Sequence, residues 1–225
     1  MEEEDYTITT LNIQPIWIYD KNIQKHIISP KWVNTLYQIQ NNLHKYTQII
    51  NLICNYSDDI TNFDNLFRYL ITNLQLKTIQ CSNNKITCLD NLPLTLIELN
   101  CSDNHLTELD NLPLALKVLN CSSNKITCLD NLPPALETLD CSYNNISCLD
   151  NLPPTLETLD CSGNNIIHLT NLPITLKKFI FICSYIDVSD IRLPKSLTHL
   201  KCDPSFLTNV LKPLLPNLLD YEYDN

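Results

Sequence analysis

The sequence predicts a solenoid of stacked repeats, in which each repeat adds one short strand to a parallel β-sheet. The first observation is self-similarity: the phrase LNCSDNHLTELDNLP, residues 99–113, returns nearly unchanged every twenty residues. A fixed interval of this length is typical of stacked-repeat architectures. The second observation is the alternation of apolar and polar residues at the start of each copy, which indicates a strand with one buried face.

The copies follow the pattern L-x-x-L-x-C-x-x-N-x-[IL]-x-x-L-x-x-L-P, with isoleucine exchanged for leucine at some positions. Full copies begin at Leu76, Leu96, Leu116, Leu136 and Leu156, and two looser copies begin at Leu176 and Leu197. Because neighbouring parallel strands lie about 4.8 Å apart, each apolar position should form a column along the stack. These columns are the predicted hydrophobic core.

These residues resemble the leucine-rich repeat family in its short form, similar to the repeats of bacterial effector proteins. The resemblance covers residues 76–217. It implies a leucine-rich-repeat solenoid: a right-handed superhelix with a parallel β-sheet on the concave face and an extended or turn-like convex side. We therefore divide the chain into an N-terminal capping region (1–75), about seven repeats of which the last two are degenerate and capping (76–217), and an acidic C-terminal tail (218–225).

Two polar or rigid columns indicate how the chain turns between strands. The asparagines are Asn84, Asn104, Asn124, Asn144 and Asn164, and the prolines are Pro93, Pro113, Pro133, Pro153 and Pro173. A buried amide can satisfy backbone groups of its own coil and of the adjacent coil. Proline lacks an N–H and disfavours helix in the preceding residue, which predicts the turn-like outer side.

Residues 1–75 lack the repeat and predict a mostly α-helical cap over the apolar end of the stack. Pro30 is a helix-starting proline, and apolar residues then recur at spacings of three and four. The first stripe is Trp32, Leu36, Ile39, Leu43, Tyr46, Ile50 and Ile53, and the second is Ile60, Phe63, Phe67, Leu70 and Leu74. The segment 7–20 before them predicts an extended, partly buried stretch.

Composition limits the range of partners. The net charge is −10, with eleven acidic and four basic residues in 76–173, whereas the segment after Pro173 is balanced. An acidic chain is a poor partner for a nucleic-acid backbone. No segment resembles a signal peptide or reaches the roughly 18 apolar residues of a membrane span. We expect an intracellular, cytoplasmic monomer whose partners are proteins, with no nucleic acid and no membrane among them.

The eleven cysteines follow the repeat and not a metal motif. Cys81, Cys101, Cys121, Cys141 and Cys161 occupy the inward strand position, where free cysteine packs as a small hydrophobe. A second set, Cys88, Cys128 and Cys148, is predicted on the outer side, where oxidation is an open alternative. No C-x-x-C pair occurs, so no zinc site is predicted. Cysteines placed by repeat position indicate reduced thiols in an intracellular protein.

Catalytic motifs are missing from the sequence. The single glycine, Gly163, leaves no phosphate-binding loop, dinucleotide-binding turn, nucleophile elbow or EF-hand loop. The histidines lie in separate copies without the spacing of metal ligands. We expect no catalytic residue, no cofactor and no metal, and therefore a protein that is not an enzyme.

The family resemblance implies recognition of a protein partner on the concave strand face. The candidate contact residues are Glu98, Asn100, Ser102, Asp103, Asn120, Ser122, Asp140, Ser142, Tyr143, Asp160 and Ser162. They form a polar, mildly acidic surface that suits a partner with basic or hydrogen-bonding groups. The surface is poor in the aromatic and arginine side chains that mark interface hot spots, and Tyr143 is the only large aromatic residue on it among the full copies. Uniform columns are also what recent duplication leaves before any partner has selected differences.

A row of aspartates opens the DNLP turns. It consists of Asp90, Asp110, Asp130 and Asp150. Like charges about 5 Å apart repel, so each carboxylate must accept backbone hydrogen bonds within its own turn, face water or share cations. We expect the first of these, because calcium binding would need more oxygen ligands and a loop with glycine.

Two other functions remain open at this stage. One is a substrate-recognition subunit for ubiquitination, with residues 1–75 as the adaptor-binding region, and the other is a structural or particle scaffold component. Segments such as KNIQKHII, residues 21–28, are rich in Asn, Ile and Lys. In this composition the chain also resembles the leucine-rich repeat proteins of amoeba-infecting giant viruses such as mimivirus. That similarity implies the cytoplasm of a host cell as the location.

Overall fold

The structure, a computed structural model, describes residues 10–12, 17–20, 25–28, 51–54, 75–182, 186–187, 191–203 and 220–222. At 10–12, 17–20, 25–28 and 220–222 it describes the backbone alone. Ten strands of these ranges form one parallel sheet in the order β1-β4-β5-β6-β7-β8-β9-β10-β11-β12, and β2 and β3 form a separate antiparallel pair. The predicted solenoid with a parallel sheet along one face is confirmed.

Each strand has only three or four residues. The strands of the large sheet are β1 (Thr10–Asn12), β4 (Asn51–Ile53), β5 (Thr78–Gln80), β6 (Glu98–Asn100), β7 (Val118–Asn120), β8 (Thr138–Asp140), β9 (Thr158–Asp160), β10 (Lys178–Phe181), β11 (His199–Cys202) and β12 (Asp220–Glu222). The separate pair consists of β2 (Trp17–Asp20) and β3 (Lys25–Ile28). In the large sheet, equivalent residues of successive repeats stand opposite one another, so that Leu99 lies between Ile79 and Leu119.

The core is a set of apolar columns behind the sheet. In each three-residue strand from β5 to β9 the central residue is buried, whereas its two neighbours reach the surface. Burial of one leucine side chain contributes roughly 1.5–3 kcal/mol, and the repeat multiplies this gain along the stack. Columns of fully or nearly fully buried residues include Leu76, Leu96, Leu116, Leu136 and Leu156, then Ile79, Leu99, Leu119, Leu139 and Leu159.

A ladder of buried asparagine amides joins each coil to the next. The Nδ2 group of Asn124 donates to the carbonyls of Cys121 and Ser122 in its own coil and of Cys101 in the preceding coil, at 3.1 Å each. Its Oδ1 accepts from the backbone amide of Leu106 at 2.9 Å. The same bonds recur at Asn104, Asn144 and Asn164. The predicted role of the asparagine column is confirmed.

Tight turns build the outer side of each coil. The amide of Leu96 donates to the carbonyl of Pro93 at 3.0 Å, and the same bond closes the turn in the following copies. The turn-like outer side is therefore confirmed. Along the residues that the structure describes, no helix is long and apolar enough to cross a bilayer.

The sheet extends further towards the N-terminus than the repeat pattern predicts. β4 pairs in register with β5, and β1 pairs with β4. The prediction that one helical stripe runs through Ile53 is therefore wrong at its end. Leu52 and Cys54 are fully buried and continue the columns of Ile79 and Cys81. Pairing with β5 overrides helical spacing here because it satisfies the backbone groups that β5 would otherwise leave open at its edge.

The remainder of the predicted cap falls largely on residues that are not described. Residues 30–50 and 58–74, where the two helices are predicted, lie outside the described ranges. The segment 7–20, predicted as extended, contains β1 and β2. The acidic tail also contains a strand, because β12 pairs in parallel with β11. Residues 220–222 of the tail thus belong to the sheet.

The copy that begins at Leu176 changes the packing of the core. Phe179 and Phe181 take the places of the leucine and the cysteine of the strand, and both are buried. Their rings stack with centroids 4.8 Å apart. The larger rings fill the core next to the longer connection that leads to β11.

We expect Asn124→Ala to lower the free energy of unfolding by about 3–5 kcal/mol. The change leaves three buried carbonyls and one buried amide without the side chain that joins them. Urea denaturation followed by circular dichroism measures the loss. Asn145→Ala, an exposed position in the next coil, is the matched control and should change stability by less than about 0.5 kcal/mol. Equal stability of the two variants would contradict the role of the ladder.

Candidate functional site

The concave face consists of the outward-pointing strand residues, one on each side of the buried central residue. These side chains are half-buried or exposed: Thr78, Gln80, Glu98, Asn100, Val118, Asn120, Thr138, Asp140, Thr158, Asp160, Lys178, Ile180, His199 and Lys201. The pairing register places each opposite its counterpart in the next strand. Of the predicted contact residues, Glu98, Asn100, Asn120, Asp140 and Asp160 lie on this face.

Charge is distributed unevenly along the concave face. Asp140 and Asp160 stand opposite each other on β8 and β9, whereas Lys178 and Lys201 follow on β10 and β11. The register then places Asp220 and Glu222 of β12 opposite His199 and Lys201. The face therefore has an acidic pair on β8 and β9, two lysines on β10 and β11, and acidic residues again on its last strand.

The carboxyl group of Asp160 is partly buried on this face. Desolvation by burial raises its pKa above the ordinary aspartate value. The nearby negative charge of Asp140 also raises this pKa, whereas hydrogen bonds from Ser162 and the positive charge of Lys201 lower it. The net direction is upward, so the charged form of Asp160 is held at a cost to the folded protein.

The last residue of each strand from β6 to β9 fixes the turn that follows the strand. The Oδ1 atoms of Asn100, Asn120, Asp140 and Asp160 accept a hydrogen bond from the backbone amide two residues later, at 3.0–3.1 Å. Short polar side chains form such turns readily. Asparagine and aspartate thus have the same structural role here, and only the aspartates add charge.

Three of the four serines predicted as contact residues are buried and do not belong to the concave surface. Ser102, Ser142 and Ser162 are buried, and Ser122 is half-buried. The hydroxyls of Ser122 and Ser142 donate to the Oδ1 atoms of Asn120 and Asp140, two residues earlier, at 2.7 Å. The period of two fails at these positions because each strand ends two residues earlier, and the chain then bends towards the core.

The residue after each serine adopts a left-handed backbone conformation. The angle φ is 57° at Asn83, 54° at Asp103 and Ser123, 55° at Tyr143 and 64° at Gly163. A second left-handed column in the DNLP turns consists of Asn91, Asn111, Asn131, Asn151 and Asn171. Neither column is predicted from the sequence. The recurring Asn and Asp residues could have indicated it, because after glycine they tolerate this conformation best.

Tyr143 is an exposed aromatic side chain at the rim of the concave face, where Asp103 holds the equivalent place two coils earlier. Its side chain is 67% exposed, and its backbone amide donates to the carbonyl of Ser162 at 2.8 Å. The ring lies against Gly163, where a Cβ atom would stand 2.7 Å from the ring carbon Cδ1. The single glycine of the chain therefore lies where this ring needs room.

The aspartates of the DNLP turns bond to asparagines of the next coil. The prediction of backbone hydrogen bonds within each turn is corrected, because each Oδ1 accepts from an asparagine Nδ2. The pairs are Asp90–Asn111 at 3.0 Å, Asp110–Asn131 at 3.2 Å, Asp130–Asn151 at 3.1 Å and Asp150–Asn171 at 3.3 Å. An amide donor beside each carboxylate offsets part of the repulsion along the row.

Apolar side chains are exposed on the convex side. Leu94, Leu114 and Ile174 are 83%, 73% and 85% exposed, and each follows the buried proline of its copy. Prolines occupy the equivalent positions 134 and 154. This convex row is a second surface, chemically unlike the concave face, and it is not predicted from the sequence.

The inward cysteines pack as the sequence predicts. Cys81, Cys101, Cys121, Cys141 and Cys161 are fully buried, and none of them forms a disulfide. Burial raises the pKa of the Cys101 thiol to about 12, so it stays protonated and unreactive. Among the described residues, no group of three or more His, Cys, Asp or Glu side chains is arranged to hold a metal ion.

Comparison with solved structures places this arrangement among known solenoids. No protein-family model and no curated protein matches the chain. The chain is similar to the functional domain of InlJ from Listeria monocytogenes, which includes a cysteine ladder, at 31% identity and a TM-score of 0.59. It is also similar to a Shigella effector leucine-rich-repeat domain (26%, 0.57) and to YopM, a leucine-rich effector protein from Yersinia pestis (27%, 0.60).

These similarities cover most of this chain but different shares of the other proteins. They span 82%, 85% and 80% of this chain for InlJ, the Shigella domain and YopM. They span 86% of the Shigella domain but only 41% of InlJ and 49% of YopM. The shared part is the repeat solenoid.

We expect Gly163→Ala to lower the free energy of unfolding by about 1–2 kcal/mol, the usual cost of a left-handed conformation for a residue with a Cβ atom. Chemical denaturation measures the loss. The new Cβ also meets the ring of Tyr143, so the loss should be smaller in a Tyr143→Ser background, by about 0.5–1 kcal/mol in a double-mutant cycle. Equal losses in both backgrounds would show that the ring of Tyr143 does not disfavour a Cβ atom at residue 163.

We expect Asp160→Asn to raise the thermal midpoint at neutral pH. The amide keeps the Oδ1 acceptor that Asn120 provides in the same turn, and it removes a desolvated charge. Because the pKa of Asp160 is raised in the folded protein, the wild type loses stability as pH rises through that pKa. The advantage of the variant should therefore shrink as pH falls through the aspartate range, near about pH 4. Thermal melts across pH test this, and a pH-independent advantage would refute the assignment.

Proposed function

Because the chain is a leucine-rich-repeat protein, we propose that it acts as a non-enzymatic interaction module that binds a protein partner on its concave face. Leucine-rich-repeat folds generally mediate protein–protein interaction. The observation that supports this proposal best is Tyr143, an exposed aromatic ring on a backbone held by hydrogen bonds. A rigid, accessible tyrosine loses little conformational entropy on binding and is typical of interface hot spots.

The charges around Tyr143 suggest the chemistry of the partner. Asp140 and Asp160 each use Oδ1 inside a turn, so the second oxygen of each carboxylate takes no part in these turn bonds. A lysine or arginine of the partner can pair with these carboxylates and lie against the ring. We therefore propose a partner segment that presents a lysine or arginine to this part of the concave face.

The other functions considered from the sequence have less support. The ubiquitination alternative depends on an adaptor-binding region in 1–75, and most of that region lies outside the described residues. The scaffold alternative depends on self-association, for which the described residues offer the convex row as the surface to test. The expectations of a monomer, of cytoplasmic location, of viral origin and of no nucleic-acid or membrane partner stay predictions.

The test uses the full chain, immobilised, and quantifies the proteins that it captures from a cell extract by mass spectrometry. The test variant is Asp140→Asn/Asp160→Asn, which keeps both turn acceptors and removes two concave charges. We expect it to lose at least tenfold of a specific partner. Tyr143→Ser should lose the same partner, whereas Lys178→Gln, which removes a positive charge from β10, should not weaken capture.

Two controls make the outcome decisive. Glu108→Gln/Asp110→Asn removes the same number of charges from exposed positions outside the concave face and should capture the partner as the wild type does. Leu94→Ser/Leu114→Ser alters the convex row instead. Loss of the partner with the convex variant, and its retention by the concave variant, would overturn the proposal and move the binding surface to the convex side.

A further inference from the structure

Two cysteines on the outer side of the stack occupy the same repeat position in neighbouring coils. The position lies two residues before each DNLP turn, which reads TNLP in the last copy. Along the stack it holds Cys88, Glu108, Cys128, Cys148 and His168. Cys128 and Cys148 are therefore adjacent, whereas Glu108 separates Cys88 from the next thiol. The sequence alone singles out all three cysteines without distinguishing among them.

The two coils are fastened to each other on both sides of this pair. Before it, the backbone amide of Asn145 donates to the carbonyl of Ile126 at 2.8 Å. After it, the Nδ2 group of Asn151 donates to the Oδ1 of Asp130 at 3.1 Å. The backbone between these bonds, which carries the two cysteines, is thus held at the coil-to-coil spacing of the stack.

That spacing suits a disulfide. Neighbouring parallel strands lie about 5 Å apart, and the bonds on both sides of the pair carry this spacing to the backbone of Cys128 and Cys148. Disulfides join Cα atoms about 4.4–6.8 Å apart. Leu129 and Leu149, which directly follow the cysteines, are both buried at 2% exposure in one core column. Their shared inward orientation places the two preceding side chains on the same outer side.

Exposure distinguishes this pair from the other stacked thiols. Cys128 is half-buried and Cys148 is exposed, and both are free. Cys101 and Cys121 are also neighbours in a column, but both are fully buried and burial raises the pKa of each thiol. A soluble oxidant therefore reaches Cys128 and Cys148 but not the buried column of inward cysteines.

We propose that Cys128 and Cys148 form a dithiol site that a small disulfide oxidant of the glutathione type converts into a cross-link between two coils. The thiolate of Cys148 attacks one sulfur of the oxidant, whose S–S bond breaks and releases one glutathione thiolate. The thiolate of Cys128 then attacks the Cys148 sulfur of the mixed disulfide, and the second glutathione leaves. The protein gives up two electrons and two protons, and the oxidant becomes two thiols.

The cross-link joins two coils that otherwise depend on nearest-neighbour contacts. It opposes local separation of the stack at the coil that carries Tyr143 and Asp140, and so acts on the part of the solenoid that bears the proposed binding face. Excess thiol reverses it by the same exchange, because the site is exposed. The site itself depends only on the geometry of the outer column and not on the proposed function.

The experiment incubates the full chain with glutathione disulfide, alkylates the remaining thiols and maps the peptides without reduction. We expect one linked peptide pair that joins Cys128 to Cys148 within a single chain, and the loss of two alkylated thiols. Cys88 should carry only the alkyl group or a glutathione adduct. In Cys128→Ser or Cys148→Ser, the remaining thiol of the pair should stop at the glutathione adduct.

A relocated pair tests the geometry itself. The variant Glu108→Cys/Cys148→Ser places a thiol beside its neighbours one coil earlier and should regain an intramolecular cross-link there. Separate glutathione adducts on Cys128 and Cys148 in the wild type, without a linked peptide, would overturn the proposal. A disulfide between two chains, seen as a dimer on a non-reducing gel, would overturn it as well.

Discussion

The hydrogen bonds of the buried asparagine amides are the interaction on which the rest of the solenoid depends. A twenty-residue coil with a three-residue strand must turn inside its own core, where unpaired backbone groups are costly. Each amide satisfies carbonyls of its own coil and of the preceding coil, and its oxygen binds a backbone amide of that preceding coil. The same side chain thus allows the turn and sets the distance between coils. The apolar columns, the column of inward cysteines and the strands therefore all share one spacing.

The turns of this chain achieve left-handed conformations almost without glycine. Nine residues other than glycine adopt a positive φ in the described part of the chain, and most of them are asparagine. Such residues have fewer conformations in the unfolded chain than glycine has, so less entropy is lost on folding. The result is a stiff rim beside the strands. Tyr143 stands on this rim, and Gly163 occurs beneath its ring because a Cβ atom there would collide with it.

The repeats make the scaffold uniform, and the differences between copies make surfaces. On the concave face, an asparagine and an aspartate hold the same turn, so exchange between them changes charge without changing structure. On the outer side, one repeat position holds cysteine in two successive copies, whereas the copy before them has glutamate and the copy after them has histidine. On the convex side, leucine, isoleucine and proline alternate at one exposed position. Function in such a protein is expected where neighbouring copies differ, because the identical positions are already occupied in folding.

The sequence by itself determined the period, the core columns, the parallel sheet and the role of the asparagine ladder. These features depend on residue types that recur at fixed spacing, so each copy confirms the others. It also identified Asp140, Asp160 and Tyr143 as surface residues. Only the tertiary structure decided that Ser102, Ser142 and Ser162 are buried, that the DNLP aspartates bond to the next coil, and that Leu52 and Cys54 join the stack. The reason is that these outcomes depend on where a strand ends and on which side chain the adjacent coil places about 5 Å away, and neither is written in the local pattern.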